Sequence, residues 1–388
     1  MKLNILSLFD GMSCGQQALE RAGIEVDNYF ASEIDRYAMQ VTMANYPDTK
    51  QLGSVVNVNG ADLPKIDLLI GGSPCQSFSF AGKRKGMDTK CETEILTLNH
   101  YLELKADGYE FEGQSYLFWE FMRLLNECKP KYFLLENVEM GEKWEKVLSK
   151  AIGVNGIHIN SALVSAQNRK RIYWTNIGMQ PGGLFGDLVS IIKKPKDKGI
   201  LLKNILESEV DEKYYLSESA INYINRDKRN LAFQMDEYDN KSGCITAVFH
   251  KQIPYNQIVV HNTMPRSSTT GKGCTGALSR TDGKTYCLDT GNTNALEVRQ
   301  KQISPYQGDS LYYEDEKMQC LSAQGGNKLR GIGIVSNSRI RRLTPLECER
   351  LQTVKDNYTN YVSDSQRYKM LGNGWTVDVI AHIFNYLK

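Results

Sequence analysis

Residues Gly71 to Phe80 read GGSPCQSFSF, which puts a thiol directly after a proline at the end of an apolar run. The preceding IDLLIGG has the short, continuous apolar character of a buried parallel strand, so Gly-Gly-Ser-Pro reads as the loop leaving its C-terminal end. Cys75 would then stand at the edge where open α/β sheets bind ligands, which makes it a candidate nucleophile. A lone cysteine is also commonly a small buried hydrophobe, and the stretch alone does not separate the two. A second strand-like run, KYFLLENV, ends in the carboxylate Glu136. A free thiol is only a few per cent ionised at neutral pH and needs nearby positive charge or a helix terminus. QNRKRIYW offers Arg169 and Arg171, two apart and so on one side of a strand, unless they form only a solvated basic turn.

Two further stretches suit a ligand. LFDGMSCGQQAL reads as strand, tight turn and helix start, an arrangement that presents backbone N–H groups to an anion. It lacks the full Gly-x-Gly-x-x-Gly of dinucleotide folds, which weakens a pyrophosphate reading and leaves a single carboxylate; a plain strand–helix turn is the alternative. Glu33 closes the next strand, where an acid can accept hydrogen bonds from ribose hydroxyls or merely cap a helix.

These residues need a sheet to bring them together. LNILSLF, NYFASEID, KIDLLIGG and KYFLLENV read as strands, alternating with helices at GQQALERAG, RYAMQVTMANYP and YLFWEFMRLLNECKP. That alternation predicts an α/β fold with a mostly parallel, doubly wound sheet. ALVSAQNRKRIYWTNI reads as a strand pair around a polar turn. Beyond Gly178 long helical patterns give way to short strands and loops rich in Gly, Asn, Ser and Thr. Helical pattern returns at TPLECERLQ, and Val377, Ile380, Ala381, Phe384 and Leu387 make one apolar face. The expected organisation is 1–180 for the first part of a catalytic domain, 181–338 for an inserted β/loop domain, and 339–388 for the return.

The 388 residues, 41% hydrophobic and 24% charged, suffice for a large core. Nine scattered cysteines without a C-x-x-C pair argue against zinc and against a secreted disulfide framework, and fit a reducing cytoplasm. The opening MKLNILSLFDG is too short in its apolar part for a signal peptide or a spanning helix, so no membrane association is expected. A net charge of +2 makes no global case for nucleic acid, so any such case must come from local patches.

Taken in order, these motifs resemble the DNA cytosine-5 methyltransferases of bacteria and phages. DGMSCG is similar to the family's first cofactor motif, GGSPCQSFSFAGKRKG to its Pro-Cys loop, LLENV to its Glu-Asn-Val motif and QNRKRIY to its Gln-x-Arg-x-Arg motif. RRLTPLECERLQ and LGNGWTVDVIAHIF are similar to its last two motifs, so the resemblance spans both ends of the chain. It implies a Rossmann-like, S-adenosyl-L-methionine-dependent methyltransferase fold with an inserted target-recognition domain. Catalytic roles would fall on Cys75, Glu136, Arg169 and Arg171. Cys75 would attack C6 of a flipped-out cytosine, Glu136 would hold a proton at N3, Asn137 would position the loop, and Arg171 with Arg169 would bind O2 and support both groups. Cofactor contacts would come from Phe9, Asp10, Gly11, Ser13, Gly15, Glu33, Ile34, Pro74, Asn373 and Trp375, with no metal. The implied protein is a monomer acting on double-stranded DNA, with a cognate restriction endonuclease as a candidate partner.

Two departures stand out. Gly53-Ser54-Val55 replaces the family's frequent Gly-Asp-Ile at the adenine amine, and the stretch from Lys90 to Gln114 is an insertion whose Leu96, Leu98, Leu102 and Leu104 suggest a small packed hairpin or helix. The basic turn Lys83-Arg84-Lys85 suits phosphate contact. In the inserted domain, seven basic residues face three acidic ones between Lys251 and Lys301. Lys-x-x-Cys recurs at Lys241, Lys284 and Lys317, which reads as three similar strand–turn units. A transfer-RNA methyltransferase would have a much smaller insert, and a silent DNA-binding relative would lose the Pro-Cys or Glu-Asn-Val residues.

Overall fold

The computed structural model describes residues 2–74, 94–111, 113–182, 187–201, 204–215 and 343–387, together with seven short strands between 257 and 342. Two compact units are present. One comprises Met1–Val210, Glu314–Lys328 and Leu343–Lys388; the other comprises Asp211–Tyr313 and Leu329–Arg342.

The first unit is built on strands β1 (Leu3–Leu8), β2 (Val26–Ser32), β3 (Lys50–Gln51), β4 (Leu68–Gly72), β5 (Tyr132–Val138), β6 (Ile157–Asn160) and β8 (Lys170–Thr175). A two-residue strand β7 (Gln167–Asn168) lies outside this sheet. The order is β3-β2-β1-β4-β5-β8-β6, with β8 antiparallel to both of its neighbours and the other pairs parallel. The expected α/β architecture with a mostly parallel sheet is therefore present. Strand order reverses between β1 and β4, which opens a crevice beyond their carboxyl ends.

Alternation along the strands separates the two faces of the sheet. Leu6, Leu8, Leu69, Leu135, Ile172 and Trp174 join one core with helices α3 (Leu98–Ala106), α4 (Phe118–Cys128) and α5 (Glu142–Ile152). Helix α1 (Cys14–Ala22) covers the other face, closed by Gly23 in the left-handed region at φ 65°. α2 (Arg36–Asn45) starts where the Asp35 carboxylate accepts from the Tyr37 and Ala38 amides, so Asp35 rather than Glu33 is the capping acid. At the C-terminus α6 (Pro345–Leu351) opens with a Thr344–Glu347 capping box, followed by α7 (Asp364–Asn373) and α8 (Val377–Phe384). α8 returns to α1, where Arg21 pairs with Asp378. Val379 and Ile383 are buried along with Val377, Ile380, Ala381 and Phe384, so α8 is apolar nearly all round, while Leu387 falls in a 3₁₀ turn and is not part of that face.

The segment expected as a strand pair differs. Ser161–Leu163 is a 3₁₀ turn, and only Lys170–Thr175 joins the main sheet. Asn160 is the cause: its side-chain carbonyl accepts from the Ala162 amide at 3.0 Å and the Arg169 amide at 3.1 Å, diverting the backbone from a ladder. Strand β7 instead pairs in parallel with β15 (Met318–Gln319), the two residues between Lys317 and Cys320 of the third Lys-x-x-Cys copy; Lys317 and Cys320 themselves lie outside the described residues. The Lys241 and Lys284 copies lie outside the described residues. After β8, a hairpin of β9 (Met179–Gly182) and β10 (Asp187–Ser190) still belongs to the first unit.

The second unit contains β11 (Gln257–Asn262) between β12 (Leu278–Arg280) and β13 (Asn294–Arg299), all antiparallel. It also contains a sheet of β14 (Leu311–Tyr313), β16 (Gly333–Ser336) and β17 (Arg339–Arg342).

The insertion forms a helix. Its anchors are Ile95, Tyr101 and Leu104, all buried, whereas Leu96 is exposed and Leu98 and Leu102 are only partly covered. Burying Ile95 and Leu104 contributes about 3–6 kcal/mol. Replacing residues 94–114 by a short linker is therefore expected to lower the urea midpoint markedly, as well as to affect turnover; an unchanged midpoint would show that α3 adds nothing to the core.

Candidate active site

The loop after β1 is held in an unusual backbone conformation. Phe9, Gly11 and Ser13 all have φ near +60°, costly for Phe and Ser, and the surroundings enforce it. The Asp10 amide donates to the Ser32 carbonyl at 3.1 Å, the Ser13 amide to the Asp10 carbonyl at 3.1 Å, and the Gly11 amide to Glu33 Oε2 at 2.8 Å. Glu33 also accepts from the Ile34 and Asp35 amides at 2.7 and 2.8 Å. It thus ties the ends of β1 and β2 together. Beside it the Ile34 side chain is 72% exposed, an apolar surface facing out next to a fixed carboxylate. Gly15, in the first turn of α1, has no room for a side chain: a Cβ there would lie 2.6 Å from Ile70 Cδ1 and 2.8 Å from the Tyr29 hydroxyl.

Asp10 carries the strongest electrostatic signature of this loop. Its Oδ1 accepts from the Tyr29 hydroxyl at 2.7 Å, while Oδ2 is buried without a partner. Burial is the main reason its pKa is pushed up to about 6, opposed by hydrogen bonds from Ser7, Tyr29 and Ser13 and assisted by Glu33. The folded chain thus holds this proton more tightly than the unfolded chain. The resulting stability is fully present below pH about 4 and is lost as pH rises through about 6, an effect on the order of 2–3 kcal/mol. Asp10→Asn is expected to flatten the stability change between pH 4 and 6 and to be the more stable form at pH 7. Urea unfolding of both forms across that range checks this, and parallel curves would refute it.

At the end of β4, Ser73 is buried and Pro74 half-buried. Asn137 Nδ2 donates to the Ser73 carbonyl at 3.3 Å and to its hydroxyl at 3.0 Å, fixing the chain two residues before Cys75. Cys75 and the basic turn Lys83–Lys85 lie outside the described residues.

Glu136 sits at the C-terminal end of β5, in register with Gly72. Its side chain is almost wholly buried between two donors: Arg171 Nε lies 2.9 Å from Oε1, and Trp375 Nε1 donates to Oε2 at 3.2 Å. Gly72 makes room for them, because a Cβ there would be 2.8 Å from Trp375 Nε1 and 3.1 Å from Glu136 Oε2.

Arg169 reaches across to the C-terminal segment. It is buried, and its guanidinium donates to the Gly372 carbonyl at 3.2 Å and the Gly374 carbonyl at 2.9 Å. These contacts fix the turn that carries Trp375, so Arg169 bears on Glu136 through that turn. Asn373, on the same turn, is exposed. Behind it lie buried amides, Gln167 of the Gln-x-Arg-x-Arg motif and Gln352 at the end of α6, to which the sequence reading assigns no role. Gln167 Nε2 donates to the Leu351 carbonyl and to Gln352 Oε1, both at 2.8 Å, and Gln352 Oε1 also accepts from Thr376 at 2.9 Å. For Gln352 the signal available was a polar side chain ending an amphipathic helix, which is too common to single out.

Among the described residues three free cysteines remain: Cys14, Cys128 and Cys348. Burial pushes the Cys14 thiol up to about 12 and the Cys348 thiol well above its usual range, so both stay protonated. No cluster of His, Cys, Asp and Glu among the described residues could hold a metal ion, and no described helix is long and apolar enough to cross a membrane.

The chain is similar to known proteins along its whole length. An orphan methyltransferase of Bacillus phage SPR, M.SPRI, is 28% identical over 456 aligned residues, covering 100% of this chain and 97% of the relative. The type II methyltransferase M.BanI of Aneurinibacillus aneurinilyticus is 26% identical, covering 100% and 96%. The crystal structure of S. pombe Dnmt2 methyltransferase superposes with a TM-score of 0.57 at 14% identity over the full length of both chains, a likeness of fold. The profile of the C-5 cytosine-specific DNA methylases matches residues 3–103 and 105–388, and with that match across nearly the whole chain the protein belongs to this family of DNA-methylating enzymes.

Proposed function

We propose that this chain transfers a methyl group from S-adenosyl-L-methionine to C5 of a flipped-out cytosine within a specific double-stranded DNA sequence, through a covalent bond between Cys75 and C6. The observation that carries this reading is the Arg171–Glu136–Trp375 arrangement beside the anchored approach to Cys75. C5 of cytosine is too weak a nucleophile unaided. Addition of the Cys75 thiolate to C6 turns the C5–C6 bond into an electron-rich enamine-like system. Glu136 would hold a proton at N3, so that negative charge does not accumulate on the ring, while Arg171 holds that carboxyl in place and reaches toward O2. After transfer, loss of the C5 proton and expulsion of Cys75 restore the aromatic ring. The base must leave the duplex to meet these groups, which the loop after Cys75 would cover.

The chain's residues fit the cofactor. The crevice beyond β1 and β4 brings together the strained Phe9–Ser13 loop, the buried unpartnered Oδ2 of Asp10, the Glu33 carboxylate and the exposed Ile34. Glu33 would accept from the ribose, Ile34 would lie against the adenine, and Phe9, Asp10, Gly11, Ser13, Gly15, Pro74, Asn373 and Trp375 would complete the pocket. When bound, the cofactor supplies a sulfonium methyl as the electrophile. The second unit would read the bases around the target.

Bisulfite sequencing of DNA from cells expressing the protein tests the reading. Protection of cytosine within one short recurring sequence is expected, and its absence, or protection confined to RNA, would overturn it.

A further inference from the structure

Helix α4 sends one arginine in three directions. Arg123 Nε donates to Glu120 Oε2 at 2.8 Å, Nη1 donates to both oxygens of Glu127 at 2.8 and 2.9 Å, and Nη2 donates to the Val55 and Val58 carbonyls at 3.1 and 2.9 Å. Glu127 also accepts from the Gly60 amide at 2.9 Å. Together they clamp the turn Val55–Asn57, which follows Gly53 and Ser54.

The segment leading into that turn lies against the end of β2 that carries Glu33 and Ile34: the Ser32 hydroxyl donates to the Gly53 carbonyl at 2.8 Å, and the Leu52 amide to the Ala31 carbonyl at 2.8 Å. The turn's own hold is weak. It is a single 3₁₀ turn whose N-cap, Ser54, makes no side-chain capping bond. The guanidinium holds the turn from α4 in a different way, by donating to its carbonyls.

Arg123 in turn depends on the insertion. Glu120 is fully buried, and its second oxygen accepts from the Tyr101 hydroxyl and the Lys105 ammonium of α3, each at 2.5 Å. Without those donors a buried carboxylate oxygen would stand unsatisfied, and Arg123 is the nearest group able to satisfy it. Nη2, already 2.7 Å from Glu120 Oε2, would then be drawn toward the carboxylate and away from the Val55 and Val58 carbonyls. Burial of Tyr101 against Phe111 and Tyr116, with ring centroids 5.1 and 6.1 Å away, fixes α3 where it can prevent this.

We propose that Arg123 is a positioning residue of the cofactor pocket, and that helix α3 of the insertion sets its grip on the adenine-side turn through Glu120. The inference rests on the reading of this crevice as the S-adenosylmethionine site. Coupling of this kind is reciprocal, so a ligand that orders the turn also steadies α3.

The test compares the full-length chain with Tyr101→Phe/Lys105→Met, using S-adenosylhomocysteine as the probe in calorimetry and S-adenosylmethionine in steady-state kinetics. The double variant should bind the probe about fivefold or more weakly and raise KM for S-adenosylmethionine to match, with kcat at saturation within about twofold of the parent. A lowered melting temperature with unchanged affinity and KM would make α3 a purely structural addition and overturn the proposal. Hydrogen exchange on the parent chain needs no variant: the probe should slow exchange in residues 98–106 as well as 53–58, and protection confined to 53–58 would also overturn it. A parent chain that fails to bind the probe would overturn the cofactor assignment itself, an outcome distinct from a parent that binds without the coupling.

Discussion

A Cys75→Ser variant is expected to lose methyl transfer by on the order of 10³-fold or more, as removal of an enzyme's nucleophile does. A duplex carrying 5-fluorocytosine at the target supplies the sharper readout. Fluorine at C5 cannot leave as the proton does, so the elimination that frees Cys75 stalls and the parent enzyme remains bonded to DNA. The serine variant should form no such complex, because a hydroxyl is a far weaker nucleophile at neutral pH than a thiolate. It should still bind S-adenosylhomocysteine with parent affinity, since the strained Phe9–Ser13 loop and the Glu33 tether are built from β1 and β2. A complex that survives denaturing electrophoresis in the serine variant would move the nucleophile elsewhere. Cys14 and Cys348 are poor replacements, with thiols held protonated by burial.

Much of this site was legible because its residue types sit at strand ends. The short continuous apolar runs place Glu33, Glu136 and the approach to Cys75 at one edge of a parallel sheet, and the turn residues mark where each strand stops. Partners far apart in the chain were not legible. Arg169 reads as a second charge beside Arg171, yet its acceptors are the carbonyls of Gly372 and Gly374, and a backbone carbonyl leaves no mark in a sequence. Trp375 reads as a cofactor residue but also holds the Glu136 carboxylate. Among the helices, α5 was overlooked although Trp144, Leu148 and Ile152 recur four apart and mark its buried stripe. α7 offers no such stripe: it buries Arg367, which pairs with the buried Glu349 at 3.0 Å, so its place comes from tertiary pairing that periodicity does not encode. In the insertion, counting leucines pointed to a packed element and to Leu104 as an anchor, but missed Ile95 and Tyr101, the latter tied also by its hydroxyl to Glu120.

Glu136→Gln is the second substitution with a large expected effect. The glutamine keeps the side-chain volume but cannot transfer a proton to N3. It also meets two donors, Arg171 Nε and Trp375 Nε1, with only one acceptor oxygen of its own. Its amide nitrogen must face one of them, so charge stabilisation and orientation are lost together. A fall in kcat of about 10²–10⁴-fold is expected, the range for a positioned acid or base. S-adenosylhomocysteine affinity should change little, because Glu33 and the Phe9–Ser13 loop are untouched. Trp375→Phe separates the two contributions: it keeps an aromatic ring on the turn held by Arg169 but removes the indole donor to Oε2, and should cost only about tenfold, as loss of one hydrogen bond to a charged group does. The 5-fluorocytosine complex should form more slowly in Glu136→Gln, because the proton at N3 is needed at the stage of C6 attack. If trapping kept its parent rate while overall turnover fell, Glu136 would act after the attack, and the N3 proton would have to come from another group.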